Sequence, residues 1–191
     1  MDDDTGLLLM RHKLNVDDYY RMADAGILGE DDRVELIEGE IVDMAPIGQD
    51  HVGTVNSLAA ALFLGFAGRA IVSVQNPIRL DALSEPQPDF TVLRRRADFY
   101  RTGERAGPAD VLLLIEVADS SLRFDRVVKL PLYAKAGIQE VWIVDLRQRV
   151  VDVHRAPRDG AYTEVTTTGV DGVLSPALAP EVRISFAQVF G

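Results

Sequence analysis

Two carboxylates in apolar surroundings are the side chains of this sequence best placed to do chemistry. Asp89 stands in Pro88-Asp89-Phe90-Thr91-Val92-Leu93, and Glu116 lies near the end of the run Val111-Leu112-Leu113-Leu114-Ile115-Glu116-Val117. A carboxylate buried in an apolar strand costs several kcal/mol unless it is paired or bound to a metal. Two such acids on neighbouring strands would suit a hard cation such as Mg²⁺, which takes one or two carboxylates, waters and a substrate phosphate oxygen. The backbone carbonyl of Val117 is a further candidate ligand. A cation held there lowers the pKa of a bound water and stabilises charge on a phosphate, the chemistry of phosphodiester hydrolysis. A nearby lysine would serve as a compact point charge. The plainer alternative is that Asp89 only enters a strand or turn and Glu116 is an incidental strand-end charge.

The elements that must position these acids are set by periodicity and punctuation. Residues 1–15 read as a charged lead-in and 16–191 as a single domain with its core at about 33–155. Val16 to Ala25 predicts a short helix with Asn15 as N-cap. Val34-Glu35-Leu36-Ile37 and Glu40-Ile41-Val42-Asp43-Met44 predict a hairpin turning at Glu38-Gly39. His51 to Ala67 is the longest helical pattern, ended by Gly68 and apolar almost all round, which predicts burial on more than one face. Strands are expected at Ala70–Val74, Pro77–Leu80 and Asp89–Leu93, a short helix at Ala97–Thr102, and a central strand at Val111–Val117. Leu122 to Ala136 predicts a helix ending at Gly137, with Pro131 kinking it or marking a first turn. Further strands are expected at Glu140–Asp145, Val150–Arg155 and Tyr162–Thr168. A helix between the strands of Glu116 and Glu140 implies a right-handed parallel crossover. The fold class is therefore α/β with a mixed sheet.

Composition narrows the field. The 191 residues include no cysteine, which excludes disulfides, thiolate metal sites and cysteine nucleophiles. His12 and His154 lack ligand spacing, so zinc is not expected. No apolar stretch is long enough to span a bilayer, and the Met1-Asp2-Asp3-Asp4 opening has the wrong charge for a signal peptide, so a soluble cytoplasmic protein is expected. The formal net charge of −10 weighs against strong non-specific nucleic-acid binding. Arg94-Arg95-Arg96, Arg101 and Arg105 could contact phosphates or simply be solvated. Walker loop, dinucleotide fingerprint and nucleophile elbow are missing.

An ordered set of segments carries a resemblance. It comprises Val34-Glu35-Leu36-Ile37-Glu38-Gly39-Glu40, His51 opening the long helix, Gln87-Pro88-Asp89, Ile115-Glu116-Val117, Lys129-Leu130-Pro131-Leu132-Tyr133-Ala134-Lys135-Ala136-Gly137-Ile138 and Val141-Trp142-Ile143-Val144-Asp145. In this set the chain resembles a bacterial restriction-endonuclease-like family, a domain of unknown function within the PD-(D/E)XK nuclease superfamily. The resemblance implies a helix, three strands, a helix and a strand (αβββαβ), preceded here by the N-terminal helix and hairpin. It implies a Mg²⁺- or Mn²⁺-dependent endonuclease acting on nucleic acid, DNA in the first instance. Ala118 stands where the superfamily has its lysine, and the family likeness moves that role to Lys129 on the next helix, where Asp125 could pair with it. Asp89 and Glu116 would hold the metal. Glu35 would be a third carboxylate or would pair with an arginine such as Arg33. His51 would position a phosphate or water, or cap a loop; Gln87 would line the site, or be a strand-edge amide. Trp142 and Tyr133 are expected in the core. A homodimer is the arrangement duplex cutting would require of a one-site domain. The rival expectation is a catalytically inactive nuclease-fold module acting as a binding or regulatory protein.

Overall fold

The aliphatic run around Glu116 forms the middle of a six-stranded mixed sheet. A computed structural model describes residues 11–29 and 31–191. The sheet runs in the order β3 (Ala70–Val74), β4 (Phe90–Arg94), β5 (Val111–Ala118), β6 (Glu140–Asp145), β7 (Val150–Arg158) and β8 (Ala161–Gly169). All neighbours are antiparallel except β5 and β6, which are parallel, as the intervening helical segment requires.

Period-two alternation divides the sheet's side chains between two apolar layers. Phe90, Val92, Leu113, Ile115, Trp142 and Val153 pack with helix α2 (Gln49–Phe66) and the C-terminal helix α5 (Phe186–Phe190). Leu114, Ala118, Val141 and Ile143 face the other way, against Tyr133 and Ile138. Glu116 shares that second face with Leu114 and Ala118, and so points towards the crossover helix.

That crossover is one helical path with a widened middle. It passes from α3 (Leu122–Phe124) through a π turn (Asp125–Lys129) into α4 (Leu130–Lys135). Pro131 explains the widening: it has no N–H for the carbonyl four residues back, and its ring would press on that carbonyl. The turn before it loosens instead, and the Leu130 N–H bonds to the Asp125 carbonyl. Gly137, at φ +81°, ends the path in the left-handed region expected after a helix.

The N-terminal helix α1 (Val16–Asp24) carries a full capping box between Asn15 and Asp18. The hairpin β1 (Val34–Ile37) and β2 (Glu40–Asp43) turns through Glu38 (φ 47°) and Gly39 (φ 77°), the paired positive φ of a two-residue hairpin loop. Residues 1–10 of the expected lead-in lie outside the described residues. Its end is tied down: Leu14 N–H donates to Gly39 O at 3.0 Å, and Lys13 pairs with Glu40 at 2.8 Å.

Three local expectations are corrected. Residues 77–80 form no strand; Ile78 and Leu80 bond instead to Pro86 and Ser84 across a tight loop. Residues 97–102 are a turn rather than a helix, because the Asp98 carboxylate gathers Arg96, Tyr100 N–H and Thr102 around itself. Helix α2 buries one stripe, including Val55, Leu58, Leu62 and Phe66, while Phe63 and Leu64 are exposed at 52% and 82%. The sheet lies under that stripe alone, so the apolar composition of α2 overstates its burial. Among the described residues, no helix is long and apolar enough to cross a membrane.

Candidate active site

Register sets Asp89 and Glu116 side by side. Phe90 pairs with Ile115 across the antiparallel β4–β5 ladder, so the next pair outward is Asp89 and Glu116. Asp89 N–H faces Glu116 Oε2 at 3.4 Å, and Asp89 Oδ2 accepts from Val117 N–H at 2.8 Å. A strand residue turns its N–H and C=O to the same edge, so the Val117 carbonyl also faces Asp89 rather than β6.

Lys129 enters from the π turn. Its Nζ lies 3.3 Å from Glu116 Oε1 and 3.1 Å from Glu35 Oε2. All three side chains are buried, and Glu35 also accepts from Gln87 N–H at 3.0 Å. Glu35 thus pairs with Lys129; Arg33 donates instead to the Ala45 carbonyl. The expected Asp125–Lys129 pair does not form, and Asp125 accepts from Ser121 Oγ at 2.7 Å. The first turn of α2 brings His51 Nε2 to 3.1 Å from Asp89 Oδ1, leaving its Nδ1 buried without a partner among the described residues.

These groups line one cleft of about 340 Å³, walled by the β2–α2 connection on one side and Ser120 to Asp125 on the other. Glu35, His51, Gln87, Asp89, Glu116, Val117 and Lys129 all reach it. The basic stretch does not. Arg94, Arg95 and Arg96 lie at and just beyond the far end of β4, where they bond to Ala109, Gly68 and Asp98, and Arg105 turns towards Glu85.

Family relationships bear on this geometry. The model of the Uma2 family, described as "Putative restriction endonuclease", matches residues 16–187. The chain belongs to the Uma2 family. It is also similar to a solved structure described as "a putative nuclease belonging to DUF820 from Anabaena variabilis ATCC 29413". That likeness has a TM-score of 0.70 at 18% identity, over 93% of this chain and 97% of that one, and shows a shared fold. No curated protein matches the chain.

Electrostatics distinguish the groups of this Uma2 cleft. Burial pushes Glu116 up to about 8, against the opposing pull of Lys129. Burial likewise lifts Asp125 to about 6, with the Ser121 hydroxyl pulling the other way. Burial alone would depress the Lys129 ammonium, but the facing Glu116, Glu35 and Asp125 outweigh it and keep it raised. The Asp89 hydrogen bond raises His51, with burial opposing. The cleft is rich in acid: Glu35, Asp43, Asp89, Glu116, Asp119 and Asp125 face only Arg33, His51 and Lys129.

Two further residues that touch this centre were not marked as site residues by the sequence. Tyr133 is buried as expected, yet its hydroxyl donates to Glu116 Oε1 at 2.5 Å. Its position four residues after Lys129, on the same helical face, was the available signal. Gln75 donates to Asp89 Oδ1 at 3.2 Å from a loop, and no pattern marks it.

Proposed function

We propose that this Uma2 protein is a Mg²⁺- or Mn²⁺-dependent phosphodiesterase acting on nucleic acid. The observation that carries the reading is the buried contact of Lys129 with both Glu116 and Glu35, one register step from Asp89. The donor set fits a hard cation. Among the described residues no group of three or more acids or histidines has metal-cage geometry, but Mg²⁺ commonly keeps waters and takes only one or two carboxylates. Asp89, Glu116 and the Val117 carbonyl would hold it, and the excess of buried acid gives it a charge to neutralise. When bound, such a cation lowers the pKa of a water and stabilises phosphate charge.

The chain's own residues supply the rest. Lys129 holds a donor-rich ammonium against Glu116, where it orients the attacking water or offsets phosphate charge. Glu35 and Tyr133 fix the Lys129–Glu116 pair from either side. His51 and Gln75 hold the Asp89 carboxylate in one orientation. Purified protein should cleave plasmid or single-stranded DNA only with Mg²⁺ or Mn²⁺, and Asp89→Ala should abolish cleavage. Cleavage that survives Asp89→Ala would refute the assignment.

The acidic cleft also favours a second reading, a non-catalytic nuclease-fold module, since its six lining carboxylates outnumber Arg33, His51 and Lys129. Calorimetric titration separates the two: absence of heat with Mg²⁺ or Mn²⁺ at millimolar concentration supports the module.

A further inference from the structure

The π turn that delivers Lys129 is fastened to the sheet by a side chain outside the cleft. Arg126 follows Asp125 in that turn and does not line the cleft. Its guanidinium donates to Asp152 Oδ2 on β7 at 2.6 Å and lies 3.8 Å from Asp145 Oδ2 at the end of β6.

Both acids are themselves held. Asp145 is fully buried, and its Oδ1 accepts from the N–H groups of Arg147 and Gln148, at 3.0 and 2.9 Å, in the turn after β6. Its Oδ2 has no hydrogen-bond partner among the described residues, and the cation facing it is Arg126. Asp152 is also buried, and its Oδ1 accepts from Thr167 Oγ1 on β8 at 2.7 Å. A buried carboxylate that loses its counter-ion is strongly destabilising, so this tie resists being broken. One guanidinium thus joins the turn to polar groups of three strands.

The turn needs such a hold. Pro131 loosens its hydrogen bonding, and the flanking helices α3 and α4 span only three and six residues. Helical segments that short take their position from tertiary contacts rather than from their own bonds. Lys129 must nevertheless reach Glu35 and Glu116 together, at 3.1 and 3.3 Å.

We infer that Arg126 is a positioning residue for the cleft. Its tie to Asp152 and Asp145 sets the height and rotation of the π turn, so that Lys129 meets both of its acids. The planar fork suits this role, because it addresses two carboxylates on neighbouring strands from one side chain. The catalytic consequence rests on the phosphodiesterase reading; the placement of Lys129 does not.

A double-mutant cycle in EDTA tests the placement without any need of activity. Urea unfolding gives the effect of Lys129→Met in the parent and in Arg126→Gln. The expected result is a loss in the folding constant at least about fivefold smaller in Arg126→Gln, where Lys129 has already lost its fixed place. Asp152→Asn cuts the same tie from β7 and should show the same coupling, which keeps the test open if the first double variant does not fold. In cleavage assays with Mn²⁺, Arg126→Gln and Asp152→Asn should each lower kcat about tenfold or more, since a misplacement of about 1 Å can cost about a hundredfold. KM and Mn²⁺ affinity should hold, and the double variant should be no slower than either single one. Additive stability costs in either measurable cycle, or an undiminished kcat in Arg126→Gln, overturns the positioning role. A parent protein that cleaves nothing overturns the phosphodiesterase reading instead, and the urea cycle alone then decides the role of Arg126.

Discussion

Glu116→Gln should make the metal-free protein more stable at neutral pH. Glu116 is 4% exposed, and burial raises it from 4.5 to about 8. The fold therefore prefers the neutral acid. Its contribution to stability is complete below pH 4.5 and fades as the pH climbs towards 8. At pH 7 folding must protonate a group that would be ionised in the unfolded chain, a penalty of about 3 kcal/mol at the usual 1.36 kcal/mol per pH unit. Glutamine mimics the neutral acid and escapes this penalty. It retains an acceptor for Tyr133 and Lys129 but sets its amide against Asp89 N–H, now 3.4 Å from Oε2. Losing that weak bond takes back about 1 kcal/mol. The net gain of about 2 kcal/mol corresponds to a Tm about 4–8 °C higher for a chain of this size. Thermal melts in EDTA at pH 5, 7 and 8 would measure it, with the gain near zero at pH 5 and growing upward. A variant less stable than the parent at pH 7, or a gain that does not change with pH, would refute the reasoning.

Other consequences can be checked by separate means. Lys129→Met should act in the opposite direction, destabilising by about 3–5 kcal/mol in urea titrations, because it leaves the buried Glu35 charge without its counter-ion. The two described histidines with perturbed environments should titrate on opposite sides of 6.5 by NMR, His51 above it through Asp89 and His154 below it through burial. Stability from neutral His154 is present above pH 6.5 and lost as pH falls. That from the His51–Asp89 pair is present below pH 6.5 and lost as pH rises through the raised value. The reverse order of titration would contradict the assigned contacts.

Much of this architecture was legible because it is written in local pattern. The aliphatic run 111–115 leading into Glu116 reads as a doubly covered strand, and Asn15 reads as the N-cap of α1. Contacts made by neighbouring strands were legible in part. That Asp89 meets Glu116 depends on a register between segments separated by a 16-residue loop and turn region, 95–110, and periodicity does not specify register. Lys129 was reached through family likeness rather than through spacing. Its helical partner Asp125 looked right by the four-residue rule, but the widened turn breaks that rule, and both groups find other partners. Residues 77–80 failed for a related reason: their apolar alternation is real, yet the hydrogen bonds go to a tight loop within their own segment.

The widened turn before Pro131 also makes the site depend less on residue count than on residue identity. Asp125 through Lys129 holds one residue more than a regular helical turn would use. The wide turn absorbs that residue locally, so the helical path on either side keeps its phase. A chain one residue shorter there, lacking Val127 for instance, would close the turn, leave Ser121 and Leu122 nearly in step with Lys129 and Tyr133, and press the Pro131 ring on the carbonyl four residues back. The loss would fall on stability before it fell on the alignment of the acids with the lysine. In sequence alignments of such chains, a one-residue gap before the proline therefore carries less meaning than a substituted carboxylate.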